Sequence, residues 1–336
     1  MISRPRRRTQ LVSAFVVVCL LGLALGAGAV GVNAFGAGDR FDRLVAKIDR
    51  FIAGPPPDRP TVATIEVQDP TDVQDPTDEE DGTATAAPTA TPAPTPTASL
   101  EPGETPPPTP QPTPTPTPKP APVRKAVDVN IVKHPKQVFA SEVDKDWCAP
   151  AGVQMALAIL GLVDTSDRTQ AAINSKVRKW ESYSDSHNGD WGPAAMVLAL
   201  KAYGAPGYEV RAYNSRQGAL RGAARAIKAT GSPALLMAWR GAHTWVMTGY
   251  RADADPAVFK DAKVTGTYIL DPWYPRVSSI WGPSDPPGTF QNESEMIRNY
   301  LKGKRPEGHY ADRDGKYLVV VPTVKASASA SGAATS

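Results

Sequence analysis

Apolar and polar positions divide the chain into unequal parts. An uncharged run extends over residues 9–38, with its dense apolar part at 11–25. About 20 apolar residues span a bilayer as a helix. Next, FDRLVAKIDRFI puts Phe41, Leu44, Val45, Ile48 and Ile52 on one face of a short amphipathic helix. Periodicity then stops until about residue 128. Beyond that point the pattern predicts a helix over 148–160, with Pro150 in its first turn and Gly161 as C-cap. Further helices are predicted over 166–179, from Pro193 to Tyr203, and over 215–229, the last closed by Gly231. The pattern then changes to β-branched and aromatic runs at 234–239, 243–251, 264–270 and 316–321, with an earlier strand at 208–213. A short helix is predicted near 293–301. Helices first and strands later predict an α+β fold, an N-terminal helical part packed on a C-terminal antiparallel sheet.

Composition separates the flexible parts from the folded one. Most of the 35 prolines fall within residues 54–123, which include a tandem VQDPTDVQDPTD and a Pro-Thr series ending in PTPQPTPTPTPKPAP. Such a stretch buries too little apolar surface to offset the entropy of ordering, so it reads as extended, polyproline II-like linker. The expected organisation is a basic and apolar segment at 1–38, a juxtamembrane amphipathic segment at 39–53, a disordered linker at 54–123, one domain at 128–322 and a disordered tail at 323–336. Arg4, Arg6, Arg7 and Arg8 precede the apolar run. Positive charge stays in the cytoplasm, so a single-pass signal anchor puts the C-terminal domain outside the cell membrane. The alternative is a signal peptide cleaved near Ala27-Gly28-Ala29, which leaves a secreted protein. The net charge of +3 is near neutral for 336 residues, and the globular part has no dense basic stripe. Nucleic acid is therefore not an expected partner.

The two cysteines are Cys19, inside the apolar run, and Cys148. The exported domain thus owns one thiol and cannot form an internal disulfide. Cys148 opens a predicted helix, where backbone N–H groups and the macrodipole favour a thiolate nucleophile. His243 begins a predicted strand in GAHTWVM, which would hold an imidazole rigidly as base and later acid. Asp271 ends the next strand in YILDP and, if the strands are neighbours, can fix the imidazole tautomer. Each has an ordinary alternative: a buried thiol, a core histidine, a turn-forming Asp-Pro. The order Cys on helix, His on strand, Asp on the next strand favours the joint reading. Trp147, Trp191, Trp245 and Trp273 are candidates for an aromatic cleft wall. His187 lies in a polar turn, and no Cys/His zinc spacing is present.

The segments DWCAPAGVQM (146–155), GAHTWV (241–246) and LDP (270–272) resemble the bacteriocin-processing branch of the papain-like cysteine peptidases, in its stand-alone exported form. The resemblance covers about residues 137–321. It implies a papain-like fold, Cys148 as nucleophile, His243 as base and acid, Asp271 as orienter, and acyl transfer through a thioester, with no metal or cofactor. Expected substrates are peptides or proteins, cell-wall peptides among them. The alternatives are an inactive peptide-binding module and a transpeptidase- or transglutaminase-like acyl transferase. One departure stands out. That family carries a glutamine about six residues before the cysteine, whose amide helps form the oxyanion hole. Here Glu142 holds that place, and the nearest upstream glutamine is Gln137.

Overall fold

The computed structural model describes residues 62–69, 71, 121–180, 191–304 and 312–325. The apolar run at 9–38, the amphipathic segment at 39–53, the Pro-Thr series, His187 and the end of the tail lie outside the described residues. Among the described residues no helix is long and apolar enough to cross a membrane.

In chain order the elements are β1 (Thr64–Val67), β2 (Val127–Asn130), α1 (Pro135–Val138), α2 (Cys148–Ile159), α3 (Asp167–Asn174), α4 (Pro193–Ala202), β3 (Tyr208–Tyr213) and α5 (Arg216–Thr230). There follow β4 (Ala234–Ala238), β5 (His243–Ala252), β6 (Val264–Leu270), β7 (Val277–Ser278), β8 (Gly282–Pro283), β9 (Phe290–Asn292), α6 (Glu293–Asn299) and β10 (Tyr317–Pro322). The main sheet runs β1-β3-β10-β4-β5-β6-β9, and β2 also pairs with β5. Pairing is antiparallel except for β1, which lies parallel to β3.

Strand alternation explains the layering. In β10, Tyr317, Val319 and Val321 join one apolar cluster, and Leu318 and Val320 join another. In β4, Ala234, Leu236 and Ala238 face the first cluster, and Leu235 and Met237 the second. Strands apolar on both faces need cover on both. Helices α2, α3 and α4 supply Leu157, Ile173 and Leu200 on one side; α5 and α6 supply Leu220, Ile227 and Met296 on the other. The expected two-layer arrangement is thereby corrected to a mixed sheet between two helical layers.

A second correction concerns the linker. Residues 64–67, expected to be disordered, form the edge strand β1. Beyond it the buried Asp69 carboxylate accepts from Arg221 Nε and Nη2 of α5 at 3.2 and 2.9 Å. Composition hid this because Ile65 and Glu66 of β1 face solvent, so β1 shows no apolar run.

Local signals set the helices. Ser215 and Ser166 cap α5 and α3 through their side chains. Gly231 closes α5 in the left-handed region, at φ 70°. Helix α3 stops at Asn174 and a 3₁₀ turn at Val177–Lys179 follows, so the helix expected over 166–179 is shorter. Gly152 brings α2 against β5: a Cβ there would stand 2.8 Å from Thr244 Cγ2. That contact sets the first turn of α2 beside the start of β5.

Candidate active site

Cys148 is the first residue of α2, half-buried and not in a disulfide. His243 is the first residue of β5 and is buried. Asp271 follows the last residue of β6, the antiparallel neighbour of β5, and is also buried. His243 Nε2 lies 2.7 Å from Asp271 Oδ1. The same carboxylate oxygen accepts from the Trp273 backbone N–H at 2.9 Å, which fixes its rotamer. With Nε2 engaged, Nδ1 is the nitrogen left to face Cys148, whose sulfur lies within 4.8 Å of a ring nitrogen. Burial by itself disfavours the imidazolium, but the Asp271 carboxylate bonded to it and the Cys148 side chain nearby outweigh that and push His243 up to about 10.

Tryptophans wall the imidazole. Trp239 stacks on His243 with centroids 4.1 Å apart and planes 18° from parallel, and Trp281 stacks in turn on Trp239 at 5.8 Å. Trp273 meets His243 edge-on at 6.5 Å. Trp239 and Arg240 both sit in the left-handed region, at φ 51° and 59°. Such backbone costs on the order of 1–3 kcal/mol per residue and persists where the surroundings over-determine it. Here it turns Trp239 over the ring four residues before the strand carries His243 into place.

Glu142 completes the group. Its carboxyl, the Cys148 thiol and the His243 imidazole offer atoms all within 4.8 Å of one another. Among the described residues no second cysteine or histidine joins them. The Glu142 side chain is fully buried; Oε1 accepts from Arg276 Nη1 at 3.0 Å, and Oε2 has no hydrogen-bond partner among the described residues. Burial pushes its carboxyl up to about 8, against the opposing charges of His243 and Arg276.

The segment that carries Glu142 is tied down on two sides. The Glu142 N–H donates to Pro272 O at 2.9 Å, and Ser141 Oγ donates to Tyr274 O at 2.7 Å, joining it to the loop of Asp271. On the other side Gln170 accepts from Val143 N at 2.7 Å and donates to Ser141 O and Gln154 Oε1, each at 3.0 Å. Gln154 in turn donates to Asp164 O and Ser166 O.

Cys148, His243, Asp271 and Glu142 thus come together. Gln137 is exposed on α1. Trp147, half-buried, stands next to Cys148 as the N-cap of α2. Trp245 is buried in the first core cluster with Met247 and Tyr250. Trp191 donates to Asn174 Oδ1 and packs against Trp180 and the second core cluster. Neither lines the site. Trp239 and Trp281, unremarked in the sequence, take that role, as does Trp273; the signal for Trp239 was its place four residues before His243 in a tight turn.

No family model matches the chain, and no curated protein matches it. Among solved structures, the crystal structure of a double glycine motif protease from an AMS/PCAT transporter, in complex with the leader peptide, is similar over 55% of this chain and 91% of that chain, at 17% identity and a TM-score of 0.29. A likeness of that degree decides nothing about the site, which rests on its own geometry.

Proposed function

We propose that the protein is a papain-like thiol peptidase or amidase that works by acyl transfer. One observation carries this reading: a buried imidazole bonded through Nε2 to a buried carboxylate, with a thiol at a helix start within 4.8 Å of a ring nitrogen. That is the constellation of an activated nucleophile, its base and the group that orients the base. In the proposed cycle the Cys148 sulfur attacks an amide carbonyl while His243 holds the thiol proton. His243 then gives that proton to the leaving amine. A thioester remains, and water, deprotonated by His243, releases the acid and restores the thiol. The apolar run behind Arg4–Arg8 supports an extracytoplasmic place of work, with the run as anchor, and peptides or exported proteins as substrates.

In this scheme Glu142 takes the place of the amide donor. A protonated carboxyl can donate its O–H to the oxyanion beside the Cys148 backbone N–H, as an amide would. The Arg276 contact at 3.0 Å favours a second reading, because it steadies an ionised Glu142 that can only accept. A cleft of that kind captures peptide without turnover.

Incubating the purified full-length protein with a peptide library tests both readings. Cleavage that Cys148→Ala lowers by about 10⁴-fold or more, with a thioester adduct on Cys148 seen by mass spectrometry, is the expected result. Undiminished cleavage by Cys148→Ala overturns the nucleophile assignment. Binding without cleavage favours peptide capture, and products formed with added amines show transfer in place of hydrolysis.

A further inference from the structure

VQDPTD occurs twice in tandem, at residues 67–72 and 73–78, and the first copy has a receptor. Val67 ends β1 and packs against the first core cluster. Two residues on, Asp69 Oδ2 takes the paired donors of Arg221. Asp69 Oδ1 accepts from the Thr71 N–H and hydroxyl at 3.0 and 2.6 Å, and Arg221 Nη2 also donates to Thr71 Oγ1 at 2.8 Å. The guanidinium and the carboxylate are each about nine-tenths buried or more. A planar fork of donors on a desolvated carboxylate is specific recognition, unlike a surface ion pair.

We propose that Arg221 and the outer edge of β3 form a binding site for a short strand followed by an Asp-Pro-Thr turn, and that residues 73–78 are its second occupant, so that the chain docks in either of two registers six residues apart. Six is even, so the shift returns each side chain to the face its counterpart occupied. Val73 replaces Val67 against the core, Asp75 replaces Asp69, and Thr77 replaces Thr71. Asp72 replaces Glu66, whose carboxylate meets Lys316 at 2.7 Å. Thr71 replaces Ile65, which is exposed. Pro70 replaces Thr64 as the first residue of the strand, where proline is tolerated.

Two losses favour the first copy. Thr64 Oγ1 accepts from Arg313 Nε at 2.9 Å, and Pro70 offers no such oxygen. Val62 packs against the second cluster, and Gln68 would take its place. The second register is therefore the minor one. Its docking lengthens the chain ahead of the domain by six residues, about 20 Å if extended, and shortens the stretch leading to β2 equally.

Hydrogen exchange on the full-length protein tests this, using Asp69→Lys, Asp75→Lys and the double variant. Asp75→Lys should change nothing. Asp69→Lys should keep exchange at β3 within about twofold of wild type, with the protected linker stretch moving from 64–67 to 71–73. The double variant should raise exchange at the outer edge of β3 tenfold or more while β6 stays protected. If Asp69→Lys alone frees β3 as far as the double variant, or protection stays at 64–67, the second register does not exist. If the double variant also loses protection at β6, added peptide of residues 62–72 decides: restored protection at β3 upholds the site, and none overturns it.

Discussion

At the scale of the residue, Glu142 decides how the site responds to pH. Its carboxyl is held up to about 8 by burial, and His243 up to about 10 by Asp271 and Cys148. As pH rises, the Glu142 proton leaves first, and a carboxylate cannot donate to an oxyanion. Wild-type turnover should therefore fall above about pH 8, before the imidazolium is lost. Glu142→Gln keeps a donor at every pH, so its alkaline limb should move toward 10. One oxyanion donor is worth about 10²–10³ in rate, but roughly one-tenth of Glu142 is still protonated one unit above its pKa, so the variant should exceed wild type by about tenfold near pH 9. Superimposable pH–rate profiles would remove Glu142 from the chemistry. Stability should follow the same proton. A raised folded pKa stabilises fully below the unfolded value, near 4.5, and that contribution is lost as pH rises through about 8. Over that window wild type should lose stability that Glu142→Gln keeps, as read by urea midpoints. Cys148, His243 and Asp271 were legible as residues because each ends or begins a patterned element. The roles of Gln137 and Glu142 were not separable in sequence, since neither a distance of six or eleven residues nor residue type says which side chain is buried.

At the scale of the element, catalysis depends on how closely α2 lies on β5, because one carries the thiol and the other the imidazole. Gly152 is the contact point. In Gly152→Ala the new methyl meets Thr244 Cγ2 at 2.8 Å, closer than carbon atoms pack. Both elements are buried there, so relief requires α2 to move outward. Overpacking of this kind costs about 1–3 kcal/mol. More telling, kcat should fall at least tenfold as Cys148 moves away from His243, with KM little changed. Thr244→Ser removes the offending methyl, so Gly152→Ala/Thr244→Ser should recover most of the lost kcat. Failure of that rescue would show that the glycine is needed for something other than close approach. The helices α2, α4 and α5 were legible because caps and glycines punctuate a 3.6-residue period. The strands β7, β8 and β9 were not: with two or three residues each, they take their conformation from a partner and show no pattern of their own.

At the scale of the whole molecule, the folded unit reaches back into what composition marks as linker. Sequence patterning favoured a domain starting near residue 128 because apolar periodicity resumes there, and the continuous apolar runs of β10 and β4 did announce a sheet. Nothing in that patterning could show that Arg221 faces inward, since an arginine in an amphipathic helix ordinarily faces water. The structure places it under the chain at Asp69, with its guanidinium buried. Removing the partner of a buried charge is more damaging than never having built the pair, because the charge left behind keeps its desolvation. A protein of residues 121–325 also loses the ladder between β1 and β3 and exposes the flank of Val210 and Ala212 that β1 borders. It should therefore be less stable than residues 62–325 by about 3 kcal/mol, read as a lower guanidinium midpoint. Arg221→Met in the shorter protein should recover part of that difference by taking the unpaired charge out of the interior. Equal midpoints for the two lengths would mean that β1 rests on the domain without contributing to it.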